Sequence, residues 1–300
     1  MSYTLLSTGS FGAQFLEYVE IKPNLVITSP DTFGGRGMKT RITSPVKKLA
    51  QKLCIQTKEI AVAEDLDRAV QKDQIVVVVD FGMILAKNLV RSCRFGIWNI
   101  HPSLLPLYRG PTPIQSALIN GEKKTGVSII SIDDRIDHGP LLNGSDNTPA
   151  RLTVAIDPND TNNTLSLKLA KGAGTLIVHL ISNPQSATRH MHIQNHNNAS
   201  YTHRFEKKEG YVPFEELSPY LSTLFNRYNL THLLLPFIDG APFCSMQKAY
   251  ALHDKIRALN PWPGVFSTIP NGKHLKILSS QKVDGQMTIT RVQIEDKIYK

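Results

Sequence analysis

Three hundred residues exceed what one compact core usually organises, so two domains are expected. Hydrophobic residues make up 41% and charged residues 20%, which excludes a disordered or low-complexity chain and fits a globular one. The 34 Lys and Arg against 25 Asp and Glu give a formal charge of +9, which favours an anionic partner such as nucleic acid without excluding a merely basic enzyme.

The chain enters a strand-like run almost at once, Leu5 to Gly12, with the turn Thr8-Gly9-Ser10-Phe11-Gly12 leading into an amphipathic helix. That leaves no room for a leader peptide, and no run reaches the roughly twenty apolar residues of a membrane span, so a cytoplasmic protein without membrane partners is expected. Cys54, Cys93 and Cys244 form neither a disulfide framework nor a metal pattern. The early glycines are only a fragment of a dinucleotide fingerprint. Leu25–Thr28 reads as a second strand, and a glycine-rich basic loop runs from Ser29 to Thr43. Ser44 and Pro45 then supply an N-cap and a first-turn proline for a helix over Val46–Leu53.

Ile75–Val79 is a continuous β-branched run, as expected of a strand buried on both faces of a parallel sheet. Ile97–His101 and Gly126–Ile132 are further strands, and between them Thr112-Pro113 opens a helix that stops at Asn120-Gly121. Strands alternating with helices predict a Rossmann-like, mostly parallel α/β sheet over residues 1–183, with ligands beyond the carboxyl ends of its strands. Residues 184–200, rich in Asn, Gln, Ser and His, read as a linker. His190, His192 and His196 lack a neighbouring cysteine or carboxylate, so solvated histidines are the expected reading and no metal is assigned. Residues 201–300 carry short strand signals, Lys276–Leu278 and Met287–Val292. They also carry a helix with Ala249, Leu252, Ile256 and Leu259 at helical spacing, and read as a smaller domain of substantial β content.

Asn99 and His101 lie two apart in a strand, so both point to one face, and Pro102 ends the strand there. An isolated Asn-x-His pair is usually a buried hydrogen-bonded pair. Here a stiff loop, Ser103 to Pro113, follows it, and Ile136-Asp-His-Gly-Pro140 presents a carboxylate some thirty residues on. Such a set suits acyl transfer. The amide and a protonated imidazole can donate to a developing oxyanion, and the carboxylate can orient the imidazole, raise its pKa and assist proton transfer.

The segment Asn99-Ile-His-Pro-Ser-Leu-Leu-Pro-Leu-Tyr-Arg-Gly110, the strand from Thr125 and Asp137-His-Gly-Pro140 resemble the hallmark of the folate-dependent formyltransferases. The resemblance implies Asn99, His101 and Asp137 as the catalytic trio and 10-formyltetrahydrofolate as co-substrate. It puts the folate on Ser103, Leu104, Leu105 and Pro106 and on the loop Phe81, Gly82, Met83, Ile84 and Leu85. It also implies a C-terminal oligonucleotide-binding-like β-barrel over 201–300, since Arg257–Gly264 and Asn271–Lys276 resemble its start and Tyr201–Gly210 its entry.

Members of this family differ in the amine they formylate. The basic loop with Arg36, Lys39 and Arg41 resembles that of the members acting on Met-tRNA, and initiator Met-tRNA bound by a monomer is the expected acceptor. Alternatives are a nucleotide-linked amino sugar as acceptor, or a catalytically idle tRNA-binding relative. Three departures from the family pattern stand out: an apparent insertion at about 212–244 with packed apolar content, an early C-terminus, and Asp80 in place of a small residue ahead of the folate loop.

Overall fold

The computed structural model describes residues 2–34, 36–144, 146–228, 230, 246–283, 286–295 and 297–300. In chain order the first elements are β1 (Tyr3–Leu6), α1 (Ser10–Tyr18), β2 (Leu25–Thr28), β3 (Thr32–Gly34), β4 (Thr40–Ile42), α2 (Pro45–Lys52) and β5 (Gln56–Glu59). There follow α3 (Leu66–Ala69), β6 (Ile75–Val78), α4 (Lys87–Ser92), β7 (Ile97–His101), α5 (Pro113–Ile119), β8 (Lys124–Ser131), β9 (Arg151–Ala155), α6 (Asn162–Ser182) and α7 (Pro184–Thr188). The last are α8 (Phe214–Leu217), α9 (Ser222–Arg227), α10 (Met246–Leu259), β10 (Val265–Thr268), β11 (His274–Val283), β12 (Gln286–Ile294) and β13 (Lys297–Tyr299).

Two compact units emerge, Met1–Gly110 with Lys124–Ala155 and Ser166–Tyr201, and Pro111–Lys123 with Ile156–Leu165 and Thr202–Lys300. The first holds a seven-stranded sheet in the order β5-β2-β1-β6-β7-β8-β9. Its first five strands are parallel, and β8 and β9 are antiparallel additions at one edge. β1, β2 and β6 are buried along their whole length, and for β6 the continuous β-branched run predicted a strand covered on both faces. The Ser44 hydroxyl accepts from the Lys47 amide and Pro45 stands in the first turn of α2, as read from the sequence.

The expectation that no segment is long and apolar enough to cross a membrane fails for α6, which meets that test by length and composition. Half of its apolar window is buried, with Leu169, Ala170, Ala173, Ile177 and Ile181 in the core of the first unit. Gly172 and Gly174 let it approach Leu152 on β9 and the backbone of Tyr18 and Val19.

In the second unit β10 to β13 form an antiparallel meander, in order, and its core joins Val265, Leu275, Ile277, Ile289 and Val292 to the apolar face of α10. Ala249, Leu252, Ile256 and Leu259 are all buried, as their spacing predicted. The described part of the expected insertion is packed, with Val212, Phe214, Leu217, Leu221, Leu224 and Phe225 in the same core. Leu233–Phe237 lie outside the described residues.

Two boundaries differ from the sequence expectation. Segments 111–123 and 156–165 group with the C-terminal residues rather than with 1–183. Arg257 on α10 donates to the carbonyls of Asp157 and Asp160, and His253 bonds the Pro158 carbonyl at 2.9 Å. Residues 184–200 are no linker, because they carry α7 and are bound into the first unit. Their polar side chains bond protein groups where composition alone could only suggest water. His192, for example, pairs its backbone with Leu141 and bonds Asn143 through Nε2.

Candidate active site

Along β7 the buried Trp98 and Ile100 alternate with Asn99 and His101, so the polar pair shares a face at the strand's carboxyl end. The chain leaving β8 turns back through residues 132–140 and presents Asp137 in the left-handed region, at φ 50. Asn99 Nδ2 donates to Asp137 Oδ1 at 3.0 Å, and the Gly110 amide donates to Oδ2 at 2.8 Å. His101, 4% exposed, faces Oδ2 with Nδ1 at 3.5 Å, too far for a strong hydrogen bond, while Nε2 lies 2.9 Å from the Tyr108 carbonyl. A carbonyl only accepts, so Nε2 carries the hydrogen.

The three residues singled out in the sequence therefore converge, although the imidazole is tethered to Tyr108 more firmly than to the carboxylate. The second hydrogen of Asn99 Nδ2 has no acceptor among the described residues. It can donate to an oxygen arriving from outside.

The loop after His101 is seated on β8. Ser128 Oγ donates to the Ser103 carbonyl at 2.7 Å and accepts from the Leu105 amide at 3.0 Å. A Cβ on Gly126 would lie 2.1 Å from the Leu152 carbonyl oxygen on β9 and 2.5 Å from Leu104 Cδ2, so the close backbone approach of β9, with Leu104 packed beside it, requires glycine there. Ser103 spends its hydroxyl on the Leu107 carbonyl, and Leu105 is buried with Ile130 and Leu141. Of the four side chains expected on the folate, only Leu104 and Pro106 are thus partly open to solvent. Ser103 and Leu105 instead shape the loop.

In the Phe81–Leu85 loop, Phe81, Met83 and Leu85 are half-buried against the apolar cluster of β6 and α4, and Ile84 is 89% exposed. Two residues past that loop begins the lining of a cleft of about 450 Å³, between Lys87, Val90 and Arg91 on one side and Ile132, Asp133 and His138 on the other; neither the loop nor the Asn99, His101 and Asp137 trio lines it. Lys87 and Asp134 are paired at 2.7 Å among its lining residues. Most of these residues are charged and read in sequence as ordinary surface, so only their joint placement marks them.

Asp80, unexplained in the sequence, serves α1. Gly9 stands at the N-cap without a side chain, and Asp80 Oδ2 accepts from the Phe11 amide at 3.3 Å in its stead. The Asp80 carbonyl accepts from the Thr8 and Gly9 amides. A Cβ on Gly9 would fall 1.7 Å from Asp80 Oδ2. Burial pushes the Asp80 carboxyl above its usual range and outweighs the opposing bond from Phe11.

The basic loop expected over 29–43 is a two-stranded ribbon, β3 against β4, whose turn is Arg36–Met38 with Gly37 at φ 78. Lys39 and Arg41 are exposed. Arg41 is not free, since it shares Asp31 with the buried Lys47. Lys47, with Arg41 second, holds the Asp31 carboxyl below the usual range.

Sequence reasoning missed Arg109 and Gln194. Both are buried, and Arg109 Nη2 donates to Gln194 Oε1 at 2.7 Å and to His196 Nδ1 at 2.9 Å. His196 stacks on His138 at 3.9 Å, and His138 Nδ1 meets Asp133 Oδ2 at 2.6 Å. Desolvation, then the charges of His138 and Arg109, push His196 below the ordinary imidazole range. Among the described residues no group of three or more His, Cys, Asp or Glu is arranged to hold a metal.

Residues 13–181 match the formyl transferase family, and residues 245–297 match the formyl transferase C-terminal domain. The methionyl-tRNA formyltransferase of Thermotoga neapolitana is 30% identical over 294 residues, covering 95% of this chain and 80% of its own. That of Agathobacter rectalis is 32% identical, covering 87% and 73%. An N-formyltransferase from Helicobacter canadensis, solved with folinic acid and dTDP-3-aminofucose, shares the fold with a TM-score of 0.60 at 18% identity, covering 100% of this chain and 97% of its own. With its trio gathered at the end of β7, the chain belongs to the formyl transferase family.

Proposed function

We propose that this protein transfers the formyl group of 10-formyltetrahydrofolate to the α-amino group of methionine on initiator Met-tRNA. Relatives bearing that activity in their names match along nearly the whole chain, both domains included, and this carries the choice of acceptor. The amino-sugar enzyme resembles it at 18% identity, which supports the fold alone.

The folate supplies a formyl carbon bound to N10, and the protein must stabilise an oxyanion and move one proton. Asn99 gives the oxyanion its uncommitted Nδ2 hydrogen, and His101 adds a second donor by exchanging the Tyr108 carbonyl for it. Asp137 takes the proton that the attacking amine sheds and returns it, directly or through water, to N10 as the carbon–nitrogen bond breaks. The cleft just past the Phe81–Leu85 loop is large enough for the folate's ring system. Val90 and Ile132 offer apolar walls and the flanking charged groups polar edges. Lys39 and Arg41, with Arg36 at the ribbon turn, meet the phosphates of the tRNA, in keeping with the basic charge of the chain. The work is cytoplasmic, where charged tRNA is found.

The deciding assay offers the purified protein 10-formyltetrahydrofolate and either charged initiator Met-tRNA or a dTDP-linked amino sugar. Formyl-Met-tRNA is the expected product. Formylation of the sugar alone would falsify the reading of the acceptor, and transfer to neither would leave only the idle tRNA-binding alternative.

A further inference from the structure

Residues 192–201 run as a strap between the two parts of the candidate site. At one end the backbone of His192 pairs with that of Leu141, just beyond the Asp137 turn. At the other end the Ser200 carbonyl accepts from the Arg109 amide, and Ser200 Oγ accepts from the Tyr108 amide at 2.8 Å. Two residues after His192, the buried Gln194 faces both parts. Its Nε2 donates to the carbonyls of Asp137 at 2.9 Å and of Gly139 at 2.7 Å, while its Oε1 accepts from Arg109. The amide has one possible orientation here, because carbonyls only accept and a guanidinium only donates.

We propose that Gln194 is a positioning residue for formyl transfer, holding the Asp137 turn so that its carboxylate stays on Asn99 and Gly110 beside His101. The inference rests on the reading of Asp137 as the proton carrier. Asp137 sits at positive φ, a conformation that a non-glycine residue keeps only where its surroundings over-determine it. Both hydrogens of one amide, spent on carbonyls at and just after that residue, supply such a constraint. Arg109 fixes the amide in turn. It belongs to the loop whose Gly110 amide holds the Asp137 carboxylate, so one unit locks backbone and side chain together. Relaxation of the turn moves the carboxylate away from the reacting nitrogen, and displacements of about 1 Å cost on the order of 10²-fold in rate.

Gln194→Glu is the discriminating variant. It keeps the side chain's volume and its bond to Arg109, but it turns two donors into an acceptor facing two carbonyls. Gln194→Met keeps the volume and loses all three bonds. Both are expected to lower kcat with Met-tRNA by about 10²-fold, with KM for folate and for tRNA within about twofold of the parent. A purely structural Gln194 would lower the melting temperature and leave kcat per folded molecule intact. Parental kcat in Gln194→Glu, with folding verified by thermal melting, overturns the proposal. Asp137→Asn measured alongside separates the two readings. If it stays active, the assignment of Asp137 is wrong; if it is dead while Gln194→Glu is fully active, only the positioning role is lost.

Discussion

Asp137 is held from two regions far apart in sequence: β7 through Asn99 with the following 106–110 loop through Gly110, and the 192–201 strap through Gln194. The ribbon of β3 and β4, in the same unit, has two strands of three residues each, and all but the half-buried Gly34 are exposed. Phe33, Met38 and Ile42 face solvent there, and Arg41 is exposed although the Asp31 side chain it pairs with is nearly buried. Moving a proton between two nitrogens is sensitive to displacements of about 1 Å and calls for constraints that back one another. Gripping a large polyanion depends on charge and reach, which a thin exposed element supplies without being fixed.

The sharpest way to break this contrast is to remove a donor from the centre. Asn99→Ala should lower kcat by about 10²- to 10³-fold, the usual cost of one lost oxyanion donor, and His101→Ala should do the same or more. Affinity for Met-tRNA, measured by filter binding, should stay within about twofold. A comparable loss of tRNA affinity in either variant would mean that the centre and the ribbon do not divide the work as proposed.

A second anchor lies at the root of the Phe81–Leu85 loop. Gly9→Ala pushes a methyl group into the Asp80 carboxylate and should destabilise the protein by about 1–3 kcal/mol, read from denaturant unfolding. The backbone of Gly9, at φ −85, accepts alanine. The damage should therefore largely disappear when Asp80 is also changed to Ala, and equal destabilisation in both backgrounds would show that the close approach to Asp80 is not the cause.

On the ribbon the effects should be smaller. Arg36→Ala and Lys39→Ala are each expected to raise KM for Met-tRNA a few-fold, to leave KM for folate unchanged, and to reduce the salt slope of tRNA binding by about one. Arg41→Ala should cost less, because part of its charge is already spent on Asp31. An unchanged slope in all three variants would take the ribbon out of tRNA recognition.

How far these features were legible in the sequence follows from the range of the interactions involved. Period-two placement of Asn99 and His101, the Ser44-Pro45 helix start and the buried run of β6 are local, and each was readable from a few neighbouring residues. The ribbon read as a loop because its strands are too short and too exposed to alternate apolar and polar residues. Gln194 was hidden in a polar stretch that composition assigns to solvent, since its partners at 109, 137 and 139 lie 55 to 85 positions away. Asp80 looked out of place for the same reason, its partner amide lying 69 positions earlier.

The smallest expected effect concerns Asp80 and pH. Two influences oppose each other at this carboxylate: the α1 N-terminus, through the Phe11 amide, favours the charge, and burial disfavours it more strongly. The folded pKa is raised, so the native state binds more protons than the unfolded state between the ordinary aspartate range and the raised value. Stability contributed by Asp80 is therefore fully present at low pH and falls as pH rises through that window. Asp80→Asn removes the titration while keeping an oxygen able to accept from Phe11. The difference in melting temperature between the parent and Asp80→Asn should accordingly drift in favour of the variant as pH is raised. A drift the other way would mean that the helix terminus, not burial, governs this charge.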